Sequence, residues 1–403
     1  MKKQVTVLFS IVLASSAMSS AVPEVTGVKL AADTRRVHVT YTLTGAPGIV
    51  TAMFLTNGVP IDSVTALGGD VNRFVTKLNS TCSFTWIPEC SWSGHRVKDG
   101  SLSVRVTAWS TNCPPDYMAI NLSVANAVFF YERAADLPGG ITNDMYKTEW
   151  LLMRKIPAAG VVWHMGSPTY ESNRNADNEV LHPVMLTYDY YMGVYMVTQR
   201  QYYLFSGGLN PSMSFMNGDQ RCPVNKVKFS GMRGSTYSWP ADGHKVTADS
   251  AIGKLRAHSG IDSFDLPTEA EWEYACRAGS FTAHYDGTDT TISLGDLGWY
   301  NSNSGSSMHI VGLKQPNAWD LYDLYGNAGE FCLDRKAPYT NTDKISIDPV
   351  GAATGSTRVY RGGTYEHSHD RARSASRDGL GEENEYGSQY GAMRLKCAAV
   401  LSL

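Results

Sequence analysis

Long apolar runs are missing from this 403-residue chain beyond its first stretch, and with them any segment able to span a bilayer, which takes about 20 consecutive apolar residues. An excess of one charge is missing too. Lysine and arginine number 35 against 38 aspartate and glutamate, a net charge of −3, so there is no basic field to grip nucleic acid, and a neutral or polar partner is expected. None of the seven cysteines (Cys82, Cys90, Cys113, Cys222, Cys276, Cys332 and Cys397) forms a C-x-x-C pair or a Cys/His cluster with zinc-site spacing, so structural disulfides are the expectation. An odd number leaves at least one unpaired or bridged to another chain. No G-x-S-x-G occurs, and Gly362-Gly363 lacks the strand and helix setting of a phosphate loop, so hydrolase and nucleotide readings have little footing. A Ser/His/Asp set that meets only in space would leave no trace in the sequence.

What is present divides by texture. MKKQVTVLFSIVLASSAMSSA begins with Lys2 and Lys3, continues apolar from Val5 to Ala14 and ends in small residues, the pattern of a secretory leader over 1–21. The mature protein is therefore expected to be secreted, periplasmic or at the cell surface, where disulfides persist. From 22 to 135 the chain alternates. VHVTYTLTG (37–45), IVTAMFLTNG (49–58), LSVRVTAWS (102–110) and AINLSVANAVFF (119–130) place β-branched and aromatic residues at every second position, with Asn57-Gly58 as a turn signal. This predicts an antiparallel β-sandwich of immunoglobulin or fibronectin III-like architecture with a docking, spacer or purely structural role. ADLPGGITND (135–144) reads as a hinge, giving a linker over 136–147. The part from 148 to 400 is rich in Gly, Asn, Tyr and Trp, with short helices in long irregular stretches, so the whole chain is α+β.

The clearest helix lies in LPTEAEWEYACRAGS (266–280). Thr268 and Glu271 form a capping box, Pro267 precedes it, Trp272, Ala275 and Cys276 share an inward face, and Gly279 supplies a left-handed cap. Trp272 is a core anchor in this reading. DLYDLYGNAGE (320–330) is the other informative block: Asp323 and Glu330 bring carboxylates, Gly326 a tight turn, and the carbonyls of Gly326 and Ala328 could complete the all-oxygen set that Ca²⁺ prefers. Asp and Asn in a glycine turn also cap such turns without any metal.

With these blocks, IPAAGVVWHMGSP (156–168), YYMGVYMVTQRQYYLF (190–205), RVYRGGTYEHSHDRARSASR (358–377) and YGAMRLKCA (390–398) stand in the order found in the formylglycine-generating enzyme, or sulfatase-modifying factor, family, which the chain resembles over 148–398. Met196 stands where that family usually has Glu. The resemblance implies a loop-rich mixed α/β fold related to C-type lectins. It also implies calcium on Asp323, Gly326, Ala328 and Glu330, with Asn303 answering to a ligand of a second site. Gly329 and Phe331 replace two tryptophans of the family pattern, which should loosen packing around the loop.

Family members that make formylglycine hold Cu(I) on two cysteines, the first three residues after the Gly-Gly-Ser/Thr triplet and the second five later. Counted from Thr364, those places hold His367 and Ala372. A thiolate pair suits Cu(I) far better than imidazole or methyl, so copper is not expected. Cys397, in the closing strand, reads as a core or disulfide residue. The polar groups that remain, Glu366, His367, His369, Asp370, Arg371, Arg373 and Arg377, admit two readings. His367 and His369 could ligate a metal or act as acid and base beside Glu366 or Asp370, with Arg371 near; or the segment is solvated, its arginines in salt bridges. His164 and His309 are further candidates. The function expected is a calcium-stabilised extracellular module, probing a peptide, protein or glycan ligand with a Tyr- and Trp-lined cleft. The alternative is an oxygen-dependent metallo-oxidoreductase that converts a cysteine of a sulfatase-like substrate to formylglycine.

Overall fold

A computed structural model describes residues 21–33, 35–94, 101–212, 218–339, 343–382 and 390–402. The leader read over 1–21 lies outside them but for Ala21. Among the described residues no helix is long and apolar enough to cross a membrane.

The first part builds two antiparallel sheets. In one, Val37–Thr44 lies between Glu24–Ala32 and Thr81–Trp86, with Leu67–Gly69 at the far edge. In the other, Gly48–Thr56 pairs with Leu102–Trp109, Val59–Pro60 and Arg73–Val75. VHVTYTLT alternates strictly between buried and half-buried positions, as its apolar period of two requires. Val39, Tyr41, Phe84 and Trp86 from the first sheet meet Val50 and Phe54 from the second in one cluster, with the Phe54 and Trp86 ring centroids 4.4 Å apart. Each such side chain contributes roughly 1.5–3 kcal/mol on burial. Asn57 and Gly58 take φ of 50° and 79°, the left-handed pair of a two-residue hairpin joining Thr56 to Val59.

The alternating segment 119–130, read as the last part of this unit, goes elsewhere. Tyr117–Asn121 pairs with both Val128–Tyr131 and Trp150–Ile156, and the sheet continues through Tyr190–Gly193 to Lys396–Ala398. Tyr117, Met118, Ala119 and Ile120 are all buried, Met118 and Ile120 in one core cluster and Tyr117 and Ala119 in another, so both faces of this strand are covered. The segment read as a hinge is core as well. Leu137 and Tyr146 are buried, Gln201 Nε2 donates to the Tyr146 carbonyl at 2.9 Å, and Thr198 Oγ1 to that of Lys147 at 2.8 Å. Its Pro and Gly residues make turns rather than a joint.

Beyond it, short helices Gln199–Ser206, Ala251–Ser259 and Glu269–Arg277 are set among long irregular stretches. The capping box at Thr268 and Glu271 is formed. The helix ends one residue before the expected cap, on Ala278 at φ 43°, with Gly279 next at 90°. Nor is only one face inward. Glu269, Glu271 and Glu273 are buried beside Trp272 because each meets a cation: Arg377 and Arg361 on Glu269, Lys396 on Glu271, Arg277 and Arg361 on Glu273. Strand Glu330–Arg335 runs antiparallel to Thr357–Arg361, which pairs in turn with Arg377–Gly381.

The expected disulfides are not formed; all seven cysteines are unpaired. Cys82, Cys222, Cys276, Cys332 and Cys397 are buried singly as small apolar fillers, and burial pushes the Cys276 thiol up to about 12.

Candidate functional site

The block 320–330 enters the core through two left-handed residues, Asp320 and Asp323. Asp323 is fully buried. Its Oδ2 accepts from the Gly312 N–H at 2.6 Å, and its Oδ1 has no partner. Burial pushes this carboxyl up to about 6, against the opposing pull of the Gly312 N–H and Arg394. Gly326, at φ 72°, is pressed so close to the Trp299 carbonyl that a Cβ would lie 1.8 Å from its oxygen. Its own N–H donates to the Gly362 carbonyl at 2.7 Å, tying this block to the 361–377 block. Ala328 is buried in the same turn.

Glu330 has other company. Arg394 Nη2 donates to its Oε1 at 2.7 Å, Arg394 Nε contacts both oxygens, and Trp272 Nε1 donates to Oε2 at 2.7 Å. The carboxylates named from spacing thus divide: Asp323 keeps an unspent oxygen in a dry place, whereas Glu330 is saturated. The free Asp323 oxygen could give a hard cation one ligand, and Glu330 would have to give up Arg394 to supply another. Asn303 is spent inside its own turn, accepting from Tyr300 N and donating to the Gly298 carbonyl at 2.9 Å.

The loosening expected at Gly329 and Phe331 does not occur. A Cβ on Gly329 would come within 3.0 Å of the Tyr360 ring and 3.2 Å of Tyr390, so two tyrosines fill the space left by the missing side chain. Phe331 is buried edge-on to Phe229, with centroids 5.8 Å apart.

The 361–377 block leaves strand Thr357–Arg361, turns at Gly362 and Gly363, and presents His367 half-buried. His367 Nε2 lies 3.1 Å from the Tyr390 hydroxyl, while its Nδ1 is buried without a partner. The ring stands 6.4 Å from Tyr360 and 5.9 Å from Tyr390, and burial together with Arg371 holds its pKa below the ordinary imidazole value. Ala372 is buried, its carbonyl accepting from His284 Nε2 at 3.1 Å.

His369 is exposed and faces a different hollow, shared with His284, Asp289 and Arg373. The two histidines therefore do not form a ligand pair, and among the described residues no three His, Cys, Asp or Glu side chains converge as a metal set. Asp370 accepts from the Ser368 hydroxyl, and Arg371 reaches Asp378 at 3.0 Å.

Arg373 and Arg377 form salt bridges, but dry ones: Arg373 with Glu171 and Glu179, Arg377 with Glu269. His309 stacks on Trp299 at 3.7 Å and bonds the Ser304 carbonyl, and His164 is exposed on a strand. Cys397 is buried in the closing strand. Tyr390, the residue His367 bonds and packs against, carries no signal in the sequence beyond standing before Gly391. Arg394 was visible as the arginine of the closing Gly-x-x-Arg-Leu pattern, although its carboxylate partner was not.

The sulfatase-modifying factor enzyme 1-like domain matches residues 153–392. The formylglycine-generating enzyme of Streptomyces coelicolor is 32% identical over 144 residues, which cover 33% of this chain and 46% of that protein. That of Thermomonospora curvata is 33% identical over 120 residues, covering 25% and 38%. The chain thus spans less than half the length of these enzymes. Among solved structures, Treponema denticola variable protein 1 aligns at 30% identity over 62% of this chain and 95% of its own, with a TM-score of 0.48. PvdO of Pseudomonas aeruginosa aligns at 20% identity over 61% and 94%, with a TM-score of 0.49.

Proposed function

Because the chain belongs to the family of sulfatase-modifying factor enzyme 1-like domains, we propose that it keeps that scaffold without formylglycine chemistry and works outside the cytoplasm as a calcium-stabilised module that binds a peptide or glycan beside His367. The observation that carries this reading is the pair of residues at the thiol positions. Ala372 has no ligating atom, and one nitrogen of His367 is engaged by Tyr390. Two soft sulfurs are what Cu(I) and dioxygen activation require there.

The surface beside His367 suits recognition instead. An imidazole nitrogen without a partner, the Tyr390 hydroxyl and the Tyr360 ring stand together, with Glu366 exposed at the edge. Such a rigid amphipathic rim loses little conformational entropy on binding. The rim is narrower than the Tyr and Trp content suggested, because Tyr190, Tyr191 and Tyr195 point inward and donate to backbone carbonyls. Calcium would be held by the Asp323 side chain with the carbonyls of Gly326 and Ala328, fixing the turn that packs Gly329 against Tyr360 and Tyr390.

The names of the bacterial relatives favour the second reading, oxidation of a cysteine on a sulfatase-like substrate. It would draw on a metal at His367 and His369, whose surroundings differ. Titrating the full protein with Cu(I) against a chromophoric chelator, while recording thiol-dependent oxygen uptake, separates the two. The chelator should keep the copper and no oxygen should be consumed; tight copper with turnover would reverse the order.

A further inference from the structure

A cavity of about 370 Å³ opens where the start of helix Glu269–Arg277, strand Glu330–Arg335 and the small sheet of Val162–Met165, His182–Met185 and Ser346–Ile347 come together. Neither His367 nor Asp323 lines it, so it is separate from both. Part of its wall is apolar, with Met165, Ile347, Pro349 and Val350, and the rings of His182 and Tyr339 pack 4.4 Å apart beside them. Its charged lining is Asp334, Glu269, Arg335 and Arg377.

Three of those four charges are spent. Arg377 grips Glu269 through Nε and Nη2, both at 2.6 Å, and Arg335 reaches Glu382 at 2.6 Å. Asp334 differs. Only 3% exposed, it accepts the Glu269 N–H on Oδ2 at 2.7 Å, and its Oδ1 has no donor among the described residues. Gly351 keeps that oxygen open, since a Cβ there would lie 2.8 Å from it. His182 Nδ1 is tied to the Val180 carbonyl at 2.8 Å and so carries its proton on that side.

We propose that this cavity takes a primary ammonium on an aliphatic stem, the end of a lysine side chain or a free alkylamine, with Asp334 Oδ1 as its counter-ion. The apolar stretch of Met165, Ile347, Pro349 and Val350 matches a methylene stem, and an ammonium supplies the donors and the charge that the unspent oxygen lacks. A hard divalent cation is a poorer match, because it asks for several oxygen ligands and only one carboxylate oxygen is free. An anion would meet Asp334 and Glu269. In the empty cavity burial and the nearby Glu269 push the Asp334 carboxyl up to about 7, with Arg377 opposing and Glu271 adding to the rise, as expected for a charge waiting for a partner.

The test uses the full chain with n-butylamine as probe, n-butanol as its neutral control and Nα-acetyl-lysine amide as the peptide-like arm, read by methyl NMR at Ile347 and Val350. Butylamine should give saturable shifts with millimolar affinity, weakening about tenfold from about pH 8 to about pH 6 as Asp334 takes a proton. Butanol should give none. Asp334→Asn, which keeps an acceptor for the Glu269 N–H, should weaken binding at least about tenfold. Ile347→Trp, which fills the cavity from its exposed wall, should abolish binding while leaving Asp334 in place. Tighter binding of the lysine amide than of butylamine would assign the site to a peptide, and the reverse to a free amine. Equal shifts from butanol, undiminished binding by Asp334→Asn, or no saturable shift at about 100 mM would overturn the proposal. None of these readouts depends on copper or on His367.

Discussion

The charges around helix Glu269–Arg277 and those of the turn from Thr364 to Ala372 are the same residue types put to opposite uses. On the helix itself all three carboxylates are matched: Glu269, Glu271 and Glu273 each meet a cation, and Arg361 bridges two of them. In the turn the matching stops, leaving His367 Nδ1 buried with no partner and His369 and Glu366 in solvent. Asp323 Oδ1 is left in the same state. Buried polar groups in native proteins are nearly always satisfied, so a satisfied network reads as scaffold and an orphaned atom reads as a place for something else.

Breaking the matched network should cost most. Arg361→Ala takes one of two cations from each of the buried Glu269 and Glu273 and should destabilise by about 3–5 kcal/mol in urea denaturation. A loss under about 1 kcal/mol would mean the belt is not the scaffold it is taken for.

The orphaned side predicts a pH signature. The folded pKa of Asp323 is raised above its unfolded value, so the native state binds that proton more tightly. Its contribution to stability is therefore full below about pH 4 and is lost as pH rises through about 6, by roughly 1–3 kcal/mol. Calcium, by pairing the ionised form with Gly326 and Ala328 oxygens around it, should raise Tm and flatten this slope; Asp323→Asn should abolish both effects. A slope unchanged by calcium would remove the cation from the account.

Gly329→Trp restores the bulk of the family pattern where Tyr360 and Tyr390 now pack, and should cost about 1–3 kcal/mol by overpacking. A neutral result would show that the tyrosines yield easily. Tyr390→Phe should have the smallest effect, under about 1 kcal/mol on stability, while changing the His367 imidazole signals in NMR.

Much of this was legible beforehand, for physical reasons. The alternation of VHVTYTLT, the Asn57-Gly58 turn and the capping box at Thr268 are local, and local chemistry decided them. The segment 119–130 carried the right strand signal but not its destination, because pairing partners are chosen by burial on the second face. Pro138, Gly139 and Gly140 spell a turn, and whether a turn is a hinge depends on neighbours such as Gln201 that lie far along the chain. The carboxylates of the 320–330 block were found, whereas their division depended on Arg394, distant in sequence. Asp334 gave no signal, since an unspent oxygen exists only once every other partner is placed.

The central claim is that the scaffold persists without the copper chemistry. The most direct measurement incubates the purified full-length protein with copper, dioxygen and a cysteine peptide of sulfatase type, and follows the peptide by mass spectrometry. The account predicts that the cysteine is recovered intact; its enzyme-dependent conversion to the aldehyde, through turnover, would contradict it.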